Sequence, residues 1–124
     1  MSIISDIATY LSQQGIGTLG TDLFYSYMPD NENEMACVYD TGGPQPDPDL
    51  PTKEPTFQVF IRSAGYEAGK TLLDSVREAL HQTSGETIGS TFFFFILAQS
   101  EGGHLGVNER GLDEFSINFH ARTR

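Results

Sequence analysis

The chain has 124 residues with a hydrophobic content of 38%, enough for one core but not for two, so we predict a single domain over residues 1–124. Its 17 acidic and 7 basic residues give a formal charge of −10, which repels phosphate backbones and argues against DNA or RNA as a ligand. The longest apolar run, residues 92–98, is far short of the roughly 20 residues of a membrane span, and we expect no membrane contact.

The first elements in chain order are a helix and two strands. The helix is predicted over residues 2–14, ended by Gly15, because apolar residues recur at i, i+3, i+4 and i+7: Ile4, Ile7, Ala8 and Leu11. Residues 23–27 and 35–39 are predicted strands. The turn formers Pro29, Asp30 and Asn31 lie between them, so we expect a turn that joins the two strands.

A proline-rich acidic loop is predicted next, over residues 42–55. Five of the six prolines lie in it, and each removes a backbone donor and fixes φ, so we expect an extended, mobile segment. Residues 30–54 hold seven acidic residues against Lys53 alone, a net charge of −6. Six carboxylates of this region are our candidates for lining a channel or contacting a partner: Asp30, Glu32, Glu34, Asp47, Asp49 and Glu54.

The second half of the chain holds a strand, a helix and two further strands. Residues 56–62 alternate like a half-buried strand, and residues 69–80 follow with helical spacing. Residues 92–98 are apolar on both faces, so this strand must be covered on both sides by core or by another subunit. Residues 114–122 alternate most clearly. We therefore predict an α+β fold, a mainly antiparallel sheet with two helices packed on one face.

Two glycine motifs resemble nucleotide sites. Gly15, Gly17 and Gly20 spell G-x-G-x-x-G, but they follow a helix and lead into a strand, the reverse of the dinucleotide-binding order. Residues 64–71 resemble a phosphate-binding loop in the right context, although Glu67 would oppose phosphate and no aspartate for magnesium ends the next strand. A small nucleotide-binding module that uses Gly69, Lys70 and Thr71 is one alternative function.

Other chemical motifs are incomplete. Asp30, Glu32 and Glu34 alternate as in a calcium loop, but Met35 occupies the position of its turn glycine. The histidines are scattered, without the spacing of a metal site: His81, His104 and His120. The single cysteine, Cys37, cannot form an internal disulfide and has no sequence signature of a nucleophile. We therefore expect no catalytic residues, no metal and no cofactor, and a protein that is not an enzyme.

Two segments carry a family resemblance. Residues 57–63, which run into Tyr66, Glu67, Ala68 and a leucine-rich helix, resemble the strand-then-helix core of tail-terminator and minor capsid proteins of tailed bacteriophages. Residues 105–119 resemble that family's loop and last strand, in which a Leu-Gly turn and a short charged turn precede an aromatic strand. The sequence departs from the pattern at residues 107–108, where Arg-Asp is usual, and at residues 112–113, where an aromatic is more usual.

The resemblance implies a structural virion protein located at the head–tail junction and assembled in the host cytoplasm. Such proteins form a ring, commonly of six copies, that caps the tail tube, stops its growth and provides the head-joining surface. The implied partners are further copies of the chain, the major tail tube protein and the head–tail connector, with DNA only in passage through the ring. A head-side connector or stopper, or a minor capsid protein, is the alternative.

Two surfaces follow as candidate sites. The apolar strand is a subunit-interface or core strand through four consecutive rings: Phe92, Phe93, Phe94 and Phe95. Alternatively, both faces of this strand lie inside the monomer beneath the two helices. The acidic region would repel DNA if it faced the channel, or attract basic surfaces of the tube or connector from the rim. We favour the rim for Asp47 and Asp49, because a mobile loop can order on a partner.

Overall fold

The computed structural model describes residues 2–29, 34–44, 48–49 and 52–124. Within them, two helices lie against one face of a seven-stranded sheet, which confirms the α+β prediction. The elements in chain order are α1 (Ile3–Gln13), β1 (Leu23–Tyr25), β2 (Met35–Gly42), β3 (Thr56–Ser63), α2 (Tyr66–Leu80), β4 (Thr83–Ile88), β5 (Thr91–Ala98), β6 (Gly103–Val107) and β7 (Asp113–Thr123). No helix of this described part of the chain is long and apolar enough to cross a membrane.

The sheet order is β1-β2-β3-β7-β5-β4, and β6 pairs with the first part of β7. Most neighbours are antiparallel, but β1 and β2 are parallel, with Leu23 opposite Ala36. The predicted turn between these strands therefore does not form a hairpin. Because the pairing is parallel, β2 begins at the same end of the sheet as β1, and Asp30 and Asn31 lie outside the described residues.

Helix α1 is anchored by a polar contact as well as by its apolar side. Ser2 caps the helix by accepting a hydrogen bond from the Ser5 N–H at 3.1 Å. The buried Asp6 carboxylate accepts hydrogen bonds from the hydroxyls of Ser90 and Thr91, at 3.2 and 3.1 Å. Because these hydroxyls belong to the β4–β5 turn region, Asp6 fixes the edge of the sheet against α1.

Helix α2 crosses the central strands at close range. Leu73, Val76 and Leu80 are fully buried on its inner side. At Gly69, a Cβ atom would come within 3.0 Å of three ring atoms of Phe115, which is itself fully buried on β7. The missing side chain lets the helix approach the sheet at this point.

Two strands were not predicted. In β4 only Ile88 is buried, and Gly85, with φ of +61°, interrupts the alternation that identifies a strand. The expected Leu-Gly turn at Leu105 and Gly106 is wrong, because both residues lie in β6. The pairing with β7 shifts between His104 and Gly106, so Gly106, with φ of +131°, belongs to a strand irregularity.

The end of the predicted acidic loop is attached to β7. Lys53 and Thr123 exchange two backbone hydrogen bonds of 2.9 Å, and the Ala121 N–H donates to the Pro55 carbonyl at 3.0 Å. These contacts extend the β3–β7 pairing backwards along the chain. Glu54 is therefore held against the last residues of β7.

Candidate functional site

An irregularity in β5 divides its four phenylalanines between the two faces of the sheet. Phe93 pairs with Thr123 and Phe95 pairs with Arg122, so β5 has one residue more than β7 between these pairs. Such a bulge places Phe94 and Phe95 on the same face. Phe93 is fully buried in the core, whereas the other three rings are half-buried on the face without helices, here called the outer face. The alternative that both faces lie beneath the helices is thus wrong.

Arg124 stacks on two of these outer-face rings. Its guanidinium carbon lies 5.5 Å from the Phe92 ring centroid and 5.7 Å from that of Phe94. The two rings contact each other edge to face at 5.0 Å. A stacked guanidinium keeps its N–H groups at the edge of its plane, where they can bind a carboxylate. The rings therefore hold an arginine in a position to receive an acidic group.

A second group of contacts surrounds Phe95. The Arg122 guanidinium lies 6.0 Å from the Phe95 centroid, and the His120 ring meets Phe95 edge to face at 5.3 Å. Arg122 also donates a 3.0 Å hydrogen bond to Glu54, whose Oε1 is 3.8 Å from His120 Nε2. The Arg122 guanidinium holds the pKa of the Glu54 carboxyl below its ordinary value. The charge of Glu54 is thus balanced within the monomer.

These residues form one continuous region along β5 and the end of β7. Leu97 lies on the same face and has 39% of its surface exposed. We call this region the aromatic–arginine surface, and it consists of Phe92, Phe94, Phe95, Leu97, Arg122 and Arg124. The sequence pointed to its phenylalanines but not to its arginines, because Arg122 occupies an ordinary polar position of an alternating strand.

The predicted acidic residues do not form one described site. Glu34 is exposed just before β2, at the end of the sheet where β3 ends, whereas Glu54 precedes β3 at the opposite end. Asp49 is exposed as well. Asp30, Glu32 and Asp47 lie outside the described residues, so their role remains a prediction.

Glu34 borders a cleft of about 280 Å³ beside α2. This volume lies below the roughly 300–1,000 Å³ typical of small-molecule sites. The cleft combines two carboxylates, the Arg62 guanidinium, hydroxyl groups and apolar side chains, and its lining residues are Ile16, Asp22, Glu34, Met35, Arg62, Ser63, Ala68, Thr71, Leu72 and Ser75. They come from separate segments of the chain, which is why no sequence motif indicated the cleft.

The nucleotide-loop alternative does not fit the backbone. Helix α2 begins at Tyr66, so Gly69, Lys70 and Thr71 lie within it. The Gly69 N–H donates to the Gly65 carbonyl at 3.1 Å and is not available to a phosphate. Lys70 Nζ forms an ion pair with the Asp74 carboxylate at 3.4 Å, one turn further along α2. Gly69 is explained by the approach of α2 to Phe115.

His104 and Cys37 make packing and polar contacts within the fold. His104 Nε2 lies 2.9 Å from the Asp113 carboxylate, and its ring packs on Phe115. Cys37 is buried and its thiol lies 3.5 Å from the Tyr27 carbonyl; burial raises the pKa of that thiol. Among the residues that the structure describes, no three His, Cys, Asp or Glu side chains are placed to hold a metal ion.

One family model and one solved structure match this chain. The family model described as bacteriophage tail terminator protein matches residues 10–123. A chain of the solved structure titled "Virion of native gene transfer agent (GTA) particle" has the same fold, with a TM-score of 0.71 at 13% sequence identity. The match covers 98% of this chain and 94% of that one. A search of curated protein sequences gives no match.

Proposed function

Because the chain belongs to the bacteriophage tail terminator family, we propose that it closes the tail tube as a ring of six copies. The ring ends tube growth and provides the surface that joins the tail to the head. The family consists of structural virion proteins, and neither the described contacts nor the cleft requires a catalytic role. The tail tube protein and the head–tail connector are the partners that we propose for the two ends of the ring.

The aromatic–arginine surface carries the proposal of a ring. Phe92, Phe94 and Phe95 lie on the face of the sheet that neither helix covers, and Leu97 continues the apolar area. Burying a large apolar side chain completely contributes roughly 1.5–3 kcal/mol, so a contact that covers the rest of these rings favours association. A neighbouring copy in a ring would provide this cover.

The acidic residues supply the second part of the proposal. We assign the exposed carboxylates of Glu34 and Asp49 to surfaces between copies or at the rim, where they can meet basic groups. Glu54 differs from Glu34, since the ion pair of Glu54 with Arg122 belongs to the monomer. DNA crosses the ring without specific binding, consistent with the charge of −10 on each copy.

A substitution on the outer face tests this function. We expect Phe94→Ser to prevent the assembly of copies into rings, by the purified protein and on tail tubes, as seen in negative-stain images. The substitution removes the phenyl group at the centre of the aromatic–arginine surface. Leu105→Ser is the matched control, since Leu105 is 59% exposed on β6. Rings formed equally well by Phe94→Ser and wild type, with both proteins folded, would contradict the role of this surface.

A further inference from the structure

We propose that the aromatic–arginine surface of one copy binds the acidic cleft of the next copy, with Arg124 facing Glu34. The contact is between two different patches, so each copy uses its own Arg124 toward one neighbour and its own Glu34 toward the other. This inference rests on the proposed ring and adds which residues form its repeated contact.

The two patches lie at opposite ends of the same sheet. Met35 pairs with Arg62, and Arg62 pairs with Glu114 at the start of β7, so Glu34 lies beside that end of the strand. Arg124 follows the other end of β7. Ten residues of extended chain separate Glu114 from Arg124, which corresponds to roughly 33 Å. The two side chains therefore cannot meet within one copy.

Complementary patches at opposite ends of one molecule produce a head-to-tail contact. Such heterologous contacts close into a ring when the rotation between successive copies completes a circle. A surface that bound its own equivalent on a second copy would instead end at a dimer. The placement of Arg124 and Glu34 is thus the arrangement that a ring requires.

The Arg124 guanidinium is in a position to bind a carboxylate of a neighbouring copy. It forms no ion pair with any described residue, whereas its neighbour Arg122 is paired with Glu54. Phe92 and Phe94 restrain its guanidinium through two cation–π contacts, which leaves its N–H donors for a carboxylate. A guanidinium restrained in this way loses less conformational entropy on binding than a free side chain.

The cleft offers the matching chemistry. Glu34 forms no ion pair within the described part of the chain, and Asp22 adds a second carboxylate to the lining. Asp22 is already oriented, since it accepts a 2.6 Å hydrogen bond from the Thr18 N–H. Ile16 and Leu72 in the lining can contact the aliphatic part of an arginine, and its charged end can meet the carboxylates. The Arg62 guanidinium in the same lining is paired with Glu114.

The overall charge of the chain favours this pairing. Each copy carries −10, so copies in a ring repel one another overall. An interface that places local opposite charges against each other offsets this repulsion and avoids like charges in direct contact, which cost several kcal/mol. Three of the seven basic residues, Lys53, Arg122 and Arg124, lie at the end of β7, away from Glu34.

Charge reversal in two separate proteins tests the contact. The variants Arg124→Glu and Glu34→Arg each place like charges together, so each alone should need at least about a tenfold higher concentration for half-assembly. In an equimolar mixture, every contact regains one acid and one base, and we expect rings in which the two variants alternate. Ring formation is measured by native mass spectrometry and by negative-stain images with and without tail tubes.

Controls separate this inference from the function on which it rests. Lys70→Glu makes the same charge change as Arg124→Glu, but on α2 and outside both patches, so it should assemble like wild type. Circular dichroism verifies that all variants are folded. Normal rings from Arg124→Glu, or a mixture that stays unassembled, would overturn the proposed contact while wild-type rings still support the function. Wild-type protein that forms no ring alone or on tubes would contradict the function and the contact together.

Discussion

Replacing Gly69 by alanine tests whether this glycine serves the packing of α2. On an exposed helix the change would stabilise the protein by about 1 kcal/mol, because alanine has the higher helix propensity. Here the added Cβ would lie within 3.0 Å of three Phe115 ring atoms. The ring is fully buried and also packs against Tyr66 and His104, so it has little room to move.

Inserting a methyl group into a packed core costs about 1–3 kcal/mol, and the fixed ring favours the upper end of that range. After subtracting the gain in helix propensity, we expect Gly69→Ala to lower the free energy of unfolding by about 2 kcal/mol. For a domain of this size the melting temperature should fall by roughly 5–10 °C.

Thermal and urea unfolding of Gly69→Ala and wild type measure the effect. Gly103→Ala is the control, since a Cβ at Gly103 meets no atom within 4 Å, and its stability should stay within about 0.5 kcal/mol of wild type. An unchanged or higher melting temperature for Gly69→Ala would refute the packing explanation and return Gly69 to the nucleotide-loop hypothesis.

Three further predictions concern buried or paired polar groups. Asp6→Ala should lower the free energy of unfolding by about 2 kcal/mol in urea titrations, because it leaves hydroxyls of the β4–β5 turn without their acceptor; equal stability would contradict this anchoring role. Arg122 lowers the pKa of Glu54 below 4.5 in the folded protein. The ion pair therefore stabilises the fold above pH 4.5, and this stabilisation is lost as the pH falls through the lower pKa of the folded state. Wild type should thus be more stable than Glu54→Gln at pH 7, and this difference should shrink as the pH falls below 4.5; a difference unchanged with pH would oppose this assignment. Cys37 should react with a thiol reagent at least about tenfold more slowly in the folded protein than in urea, because it is buried and its pKa is raised; equal rates would show that the site is open.

The elements that were predicted correctly are those whose periodicity coincides with burial. Ile7 and Leu11 in α1 and the alternating residues of β7 are buried as their spacing predicts. Strands β4 and β6 were not predicted, because glycines interrupt the alternating pattern of a strand and few of their side chains are buried. The parallel pairing of β1 with β2 requires β2 to begin at the same end of the sheet as β1, and the turn residues between them do not specify this.

The candidate site was predictable only in part. Four consecutive phenylalanines indicated that one strand needs cover on both faces, but the bulge at Phe94 decides which rings remain on the outer face. That bulge arises from pairing with β7, in which the partner of Phe95, Arg122, lies 27 residues further along the chain. The stacking of Arg124 on two rings and the cleft beside Glu34 likewise depend on contacts between distant segments.

The length of the tails assembled without this protein tests the central claim most directly. Tails from a phage that lacks a functional copy should be measured by electron microscopy, with a plasmid-borne wild-type copy as the control. We predict tubes of variable, mostly excessive length without attached heads, and normal tails once the copy is restored. Tails of normal, uniform length in the absence of the protein would contradict termination and favour a role on the head side of the junction.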